Sequence, residues 1–399
     1  MNDAAAQIKH FNAGRDPDRL ALKLNKMRAD PFVFLRGSCH LFYARLPREP
    51  LFTQAPLSWL CGDLHLENFG SFKGDNRLAY FDINDFDEAI LAPCTLDLVR
   101  FLASVQLGAR SLSVSPLEAE LLGRVFIDAY AAALAEGKAR WVERETAVGL
   151  VKDLLGGLGQ RKRPAFLDTR TELKGKRRRI RCDGKKALPI DDARRADIEA
   201  FLARFAQTQP NPGFYTPIDI AHRIAGTGSL GLERYIILVE GKGSPDANYL
   251  LDLKQVLPSS LAPWAAVPQP PWPDEASRVV TLQKRLQAIP MAFLQAVELE
   301  GKPYTLRGLQ PSEDRVALDA WNGKLRRLEE VLATMGQVVA WAHLRSAGRQ
   351  GSAIADAFVD FGQQTAWRQA LIEQANQASA AVVADWQAYG AAFDGGYFG

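Results

Sequence analysis

The chain has 399 residues, 47% hydrophobic and 24% charged, with 49 lysine and arginine against 46 aspartate and glutamate side chains and a formal net charge of +3. That composition supports a sizeable core divided over two lobes and excludes collagen-like, wholly disordered and polyelectrolyte chains. No apolar run reaches the roughly 18 residues a membrane span needs. The first residues carry no signal-peptide core, and the four cysteines (Cys39, Cys61, Cys94, Cys182) form no C-x-x-C pair. A cytoplasmic protein without a zinc ribbon or disulfide framework is the expectation.

In chain order, residues 17–46 read as helix and 57–60 as a strand. Residues 61–88 form an acidic, glycine-punctuated segment with two strands, 69–72 and 78–83, around the turn Lys73-Gly74-Asp75-Asn76. The apolar stripe Leu98, Phe101, Leu102 and Val105 predicts helical structure across 95–137, and another helix is expected over 190–206. A breaker cluster (Pro210, Pro212, Gly213, Pro217) then opens a β-rich stretch. Strands are expected at 220–225, 234–240, 249–254, 293–299 and 304–309, with a proline-rich loop over 258–273 and a helix over 274–287 capped by Asp274. Two long helices, 312–345 and 354–389, close the chain. The expected fold class is α+β: a small antiparallel β lobe over 216–311 between helical segments 1–215 and 312–399.

The first chemical signal is Gly62-Asp63-Leu64-His65-Leu66-Glu67-Asn68. An aspartate and an asparagine on one loop can aim a carboxylate at a hydroxyl and an amide oxygen at a metal, the pairing phosphoryl transfer needs. Downstream, Asp82-Ile83-Asn84-Asp85-Phe86-Asp87-Glu88 supplies hard oxygen ligands at the end of a strand, which suit Mg²⁺ and are poor for zinc. Either half alone is an ordinary acidic loop with turns and caps; the combination points to chemistry. The second signal is Gly226-Thr227-Gly228-Ser229-Leu230-Gly231, followed by the strand-like Tyr235-Ile236-Ile237 rather than a helix. That context excludes a dinucleotide-binding turn. With Lys254 ending a third strand, it matches a hairpin whose backbone N–H groups cover phosphates while a lysine neutralises them.

These residues carry a resemblance. Gly62-Asp63-Leu64-His65 with Asn68 resembles the catalytic loop of aminoglycoside and choline kinases, and Asn84 to Ala89 with Leu96-Asp97-Leu98 resembles their metal-binding segment. The chain is more closely similar to the bacterial family called domain of unknown function 2252. The similarity rests on Asp30 to Gly37, Gly62 to Gly70, Phe81 to Ala89, Asp97 to Ser104, Gly226 to Gly231, Leu253-Lys254 and His343. The resemblance implies a two-lobed, protein-kinase-like fold. Because the catalytic loop precedes the glycine loop, that fold would be circularly permuted, with 304–310 as the hinge strand. It further implies ATP and Mg²⁺ as cofactors. Asp63 and His65 are then the catalytic candidates, while Gly226, Thr227, Gly228, Ser229, Gly231, Lys254 and Arg36 hold nucleotide. Asn68 and Asp85 or Asp82 hold metal; spacing from Asn68 favours Asp82 and spacing from Asp97 favours Asp85. Cys61 stands where those kinases have histidine, so support for the loop must come from elsewhere. Glu275 is an available carboxylate for Lys254, and Thr281 occupies the position where an acidic residue is expected.

The interval 161–186 is strongly basic, reading as a solvated loop or as a dock for an anionic partner or nucleic acid. Arg36 and His40 follow an aromatic run, and His343 reads as a core histidine. The leading expectation is a kinase-like transferase moving a phosphoryl or adenylyl group from ATP to an unidentified small-molecule or protein acceptor. A non-catalytic nucleotide-binding regulator and a nucleic-acid-binding module are the alternatives.

Overall fold

In the computed structural model, which describes residues 3–265, 267–310 and 314–398, the chain is α+β with antiparallel sheets. The largest sheet has six strands in the order Gln295–Leu299, Lys302–Gly308, Tyr249–Gln255, Arg234–Val239, Pro217–Arg223 and Ala187–Leu188. Alternate side chains of a strand point to opposite faces. Tyr249, Leu251 and Leu253 therefore join Ile220, Tyr235, Ile237 and Leu306 on an apolar face, covered by the helix Asp192–Gln207 through Ile198, Phe201, Leu202 and Phe205. The intervening residues Asp252 and Lys254 lie on the opposite face with Arg223, Arg234 and Arg307, all buried or nearly so. One sheet thus has an oily side that anchors it and a charged side that looks into a cleft.

The expected β-rich stretch is observed, but the sheet also recruits residues upstream of 216. The basic interval 161–186 is not a loop. It contains a short helix, Arg163–Asp168, and the hairpin Thr171–Lys174 with Arg177–Ile180. Arg178 is buried there because Asp168 and Asp246 meet its guanidinium at 2.5 and 3.0 Å. The helix Gly149–Gln160 is likewise an addition to the expected elements.

Most of the apolar core lies among the helices Thr95–Ala109, Pro116–Glu136, Leu325–Ser346, Ala355–Gln363 and Ala366–Asp394. The stretches expected to be helical are divided into shorter helices, two of them at capping residues. Residues 95–137 divide where Ser115 and Glu118 form a reciprocal capping box with Pro116 in the first turn. Residues 17–46 divide into Pro17–Ala29, Pro31–Gly37 and Cys39–Arg45, since Asp30 accepts hydrogen bonds from Phe32 N and Val33 N and restarts the helix at Pro31. The expected helix 312–345 begins only at Leu325, its proposed start at Ser312 lying outside the described residues, and 354–389 divides near Gln364. The two helices Pro116–Glu136 and Leu325–Ser346 approach closely at Gly336, where a Cβ would stand 2.3 Å from the Phe126 carbonyl oxygen.

Two small antiparallel pairings, Leu57–Leu60 with Ile90–Pro93 and Phe69–Lys73 with Ala79–Ile83, fix both ends of the acidic segment. No helix among the described residues is long and apolar enough to cross a membrane. All four cysteines are free thiols, three of them buried.

His40 stacks on Phe11 with ring centroids 3.9 Å apart, and neither ring nitrogen has a hydrogen-bond partner among the described residues. Burial, reinforced by Lys23 and Arg15, pushes its pKa down from 6.5 to about 3. The unfolded chain therefore takes up a proton at mildly acidic pH that the folded chain refuses, and stability falls as pH drops below the unfolded value. His40→Phe keeps the stack and should remove roughly 1–2 kcal/mol of the stability loss between neutral pH and pH 5, read from urea midpoints. An unchanged pH slope would show that His40 is not the group responsible.

Candidate functional site

The loop 61–68 hangs from one helix. Asp97, buried in the first turn of Thr95–Ala109, accepts the backbone N–H groups of Cys61 and Gly62, one on each carboxylate oxygen, both at 2.9 Å. Tyr43 donates its hydroxyl to Gly62 O at 2.8 Å. These contacts hold the backbone of the loop at Cys61 and Gly62. His343 Nε2 lies 3.8 Å from Asp97 and its Nδ1 2.9 Å from the Tyr130 hydroxyl, placing it behind the loop in the core.

One turn further along the same helix, Arg100 donates through Nε (2.8 Å) and Nη2 (2.5 Å) to Asp63 Oδ1, and Nη2 also reaches Leu35 O at 3.0 Å. Arg100 is wholly buried; Asp63 is 24% exposed. Burial alone would depress the guanidinium, but Asp63 raises it above its usual range. Both arginine contacts fall on one carboxylate oxygen, and Asp63 lines the cavity, with no hydrogen bond to its Oδ2 among the described residues. Arg100 is a site residue that motif spacing does not find; its one sign in the sequence is a charge three residues after Asp97 in an apolar helix.

The acidic segment folds over this loop. Gly62 adopts φ +81°, and a Cβ there would lie 2.1 Å from Glu88 O. Asn68 fastens the two loops: its Nδ2 donates to Asp63 O (3.0 Å) and Asp85 O (3.1 Å), and its Oδ1 accepts from Asp85 N (2.8 Å). The amide expected as a metal ligand thus spends three contacts on backbone, leaving one lone pair of Oδ1. Asp82 lies away from the cavity, accepting from Ile83 N (2.8 Å) and Ala288 N (3.1 Å) with Arg345 at 3.5 Å. Burial raises its pKa against the pull of Arg345.

Asp85 instead faces the cleft with half its side chain exposed, and Lys254 Nζ crosses from the sheet to within 3.3 Å of it. Lys254 also pairs with Asp87. The expected partner Glu275 is bound to Arg278, and the acidic residue missing at Thr281 is not needed. Burial raises the Asp85 pKa, but Lys254, Arg307 and Arg234 pull it down to about 2; burial and the charge of Asp85 raise that of Asp87. One lysine against two carboxylates leaves an excess negative charge. Among the described residues no three His, Cys, Asp or Glu side chains converge as a preformed metal cage. A pair of carboxylates completed by phosphate oxygens and water is the usual Mg²⁺ arrangement, and Asp85 with Asp87 fits it. Asp87 lies in the acidic segment that the sequence marks as a source of hard oxygen ligands, but motif spacing points there only to Asp85 or Asp82 for the metal.

The glycine loop closes the same cavity, of about 280 Å³, which is lined by Asp63, His65, Asp85, Asp87, Thr227 and Ser229 among others. His65 is buried, accepts from Glu67 N at 3.1 Å and is held neutral, burial and then Arg36 lowering its pKa well below the usual value. Arg36 meets Glu67 at 2.6 Å, as does Arg315. The loop is pinned from behind: Gly228 O accepts from Arg15 (2.6 Å) and Lys23 (3.1 Å), Leu230 O from Arg15 (2.8 Å), and Leu232 O from Arg19 (2.9 Å). Asp63, Asn68, Asp85, Lys254, Arg36 and the glycine loop, spread over 200 residues of sequence, are therefore brought together; Asp82 is not.

The chain belongs to the family described as "Uncharacterized protein conserved in bacteria (DUF2252)", whose model matches residues 15–392. No curated protein and no solved structure matches it.

Gly62→Ala would strain a left-handed backbone and force the loop that carries Asp63 away from the Glu88 carbonyl. A loss of about 2–4 kcal/mol in urea unfolding is expected. A loss below about 0.5 kcal/mol, the size of an ordinary surface change, would show that the two loops are not held at this distance.

Proposed function

We propose that this member of the family is an ATP- and Mg²⁺-dependent transferase with a kinase-like division into a β-rich and a helical part, permuted in chain order. The observation that carries this reading is Lys254 reaching from the sheet to Asp85 and Asp87 in the cavity that also holds Asp63 and the glycine loop. Lys254 and the loop amides bind phosphates. Asp85 and Asp87 would hold Mg²⁺, which when bound neutralises charge on the phosphate oxygens. Asp63, oriented by Arg100 through Oδ1, presents Oδ2 to the hydroxyl of an acceptor and takes its proton as the oxygen–phosphorus bond forms and the bond to the leaving phosphate breaks. Asp82, tied to two backbone amides and Arg345, acts through the stability of its strand.

Mg²⁺-ATP should raise the melting temperature by binding the native state, an effect worth about 2.7 kcal/mol at a hundredfold excess over Kd. Lys254→Ala and Asp85→Asn should blunt that shift. Asp63→Asn should keep the shift and abolish transfer from α- or γ-labelled ATP to acceptors in a bacterial extract, and Asp82→Asn should lower stability while keeping the ATP shift. No shift across millimolar ATP would overturn the reading. Binding without transfer of either label would assign the protein to nucleotide-dependent regulation instead.

A further inference from the structure

A second cavity, of about 570 Å³, adjoins the first and shares Arg36, Glu67, Asp85 and Arg315 with it. Its wall is the charged face of the six-stranded sheet. There Arg223, Arg234 and Arg307, from three different strands, converge on the single carboxylate of Asp252, which is wholly buried; their nearest nitrogens lie 2.6, 2.6 and 3.4 Å from Oδ2. Arg223 and Arg307 are only 10% and 11% exposed. Three guanidinium groups on one carboxylate leave an excess of two positive charges, one of them offset by the surplus carboxylate of Asp85 and Asp87, on which Arg234 and Arg307 also act. Arg36 and Arg315 on Glu67 leave a third. Arg181 and Lys185, from the turn after the basic hairpin, line the mouth and make no ion pair among the described residues.

Excess cationic charge held this deep is costly unless an anion completes it. Two details point the same way. Arg223 Nη1 is buried and, although 2.6 Å from Asp252, lacks the alignment of a hydrogen bond, and Arg36 Nε is buried with no acceptor among the described residues. Burial, with Arg234 and Arg307 opposing Asp252, brings the Arg223 pKa down to about 10. Among the described residues no aromatic side chain lines the cavity, so it offers no stacking platform for a base or single-stranded nucleic acid.

The charge also changes sign along one strand. Lys254 and Asp252 are two residues apart on the same face. At Lys254 carboxylates outnumber cations, whereas at Asp252 cations outnumber carboxylates. We propose that the arginine-lined cavity is a polyphosphate site. It takes a chain of linked phosphates end-on, the terminal phosphate against Arg223 and Arg307 and the inner phosphates toward Lys254, resting on the transferase reading only for that inner end. The chain is either inorganic or the phosphate end of a nucleotide, and in the second case phosphates rather than the base occupy this cavity.

The test is calorimetric titration of the full chain without Mg²⁺, using tripolyphosphate, orthophosphate, ATP, AMP and adenosine. Tripolyphosphate should bind and displace ATP, with orthophosphate and AMP at least about tenfold weaker and adenosine inactive. Comparable affinities for tripolyphosphate and ATP would identify the shared phosphate chain as the ligand; ATP tighter by about a hundredfold would identify a nucleotide end. Arg181→Ser with Lys185→Ser, on an exposed turn, should weaken tripolyphosphate binding about tenfold for each charge-assisted hydrogen bond removed. Arg307→Gln should do the same if its melting temperature shows it folded. ATP that adenosine displaces and tripolyphosphate does not would overturn the proposal, as would an oligonucleotide binding more tightly than tripolyphosphate or the rim variant binding like the parent. Failure of the transferase reading is separately visible: Mg²⁺-dependent transfer would be absent while tripolyphosphate binding persisted.

Discussion

Asp97 is a buried carboxylate whose two oxygens are both taken by backbone amides of the loop bearing Asp63. An ionised group at that depth is tolerable only when its hydrogen bonds are complete, and the loop completes them. The dependence is mutual, since within this loop Tyr43 and Arg100 reach Gly62 O and the Asp63 side chain and leave those two amides to Asp97. Arg100, on the same helix face, repeats the arrangement with the charges reversed. Two residues a single turn apart thus set the backbone position and the side-chain orientation of Asp63. The acidic segment is then located by Asn68 and by the absence of a side chain at Gly62. Placing Asp85 and Asp87 opposite Lys254 follows from that chain of contacts.

The sheet contributes a different economy. Its strands are two-faced, and the same alternation that buries Leu251 and Leu253 against Phe201 and Phe205 turns Asp252 and Lys254 to the cleft. Pulling the charged face inward without the apolar face would leave five ionisable side chains unsupported. The helix Asp192–Gln207 is therefore as much part of the cleft as the strands, although it lines neither cavity.

Local pattern was a good guide where periodicity and caps act over short distances. The strands expected at 57–60, 69–72 and 78–83 are observed to within a residue, as is the helix capped by Asp274, and the glycine hairpin is observed too. Asp63, Asn68 and Lys254, which the fold brings to one cleft, were singled out by the combination of two motifs, neither of which is distinctive alone. Arg100 was not, because its partner lies on another segment and its own helix is otherwise apolar. The basic hairpin 171–180 was hidden for a related reason. In Arg177-Arg178-Arg179 the sequence shows no alternation of residue type, yet the strand turns Arg178 inward and its neighbours outward. Asp168, Asp246, Thr171 and Pro245 O meet the buried guanidinium. Asp87 and Asp85 differ in sequence by nothing that marks which will meet Lys254; only the curvature imposed by the Asn68 clasp decides that both do.

The arm formed by residues 15–23 holds the glycine loop by its carbonyl oxygens, and a peptide plane carries its N–H on the opposite side. A cation placed on Gly228 O draws electron density toward that oxygen, which makes the Ser229 N–H across the plane a stronger donor. Arg15 carries that charge, while Lys23, fully buried and with its pKa driven well down by burial and by Arg15, holds the same oxygen as an N–H donor. The loop is therefore held and polarised from outside by an arm far away in the chain, while its own glycines supply the backbone freedom.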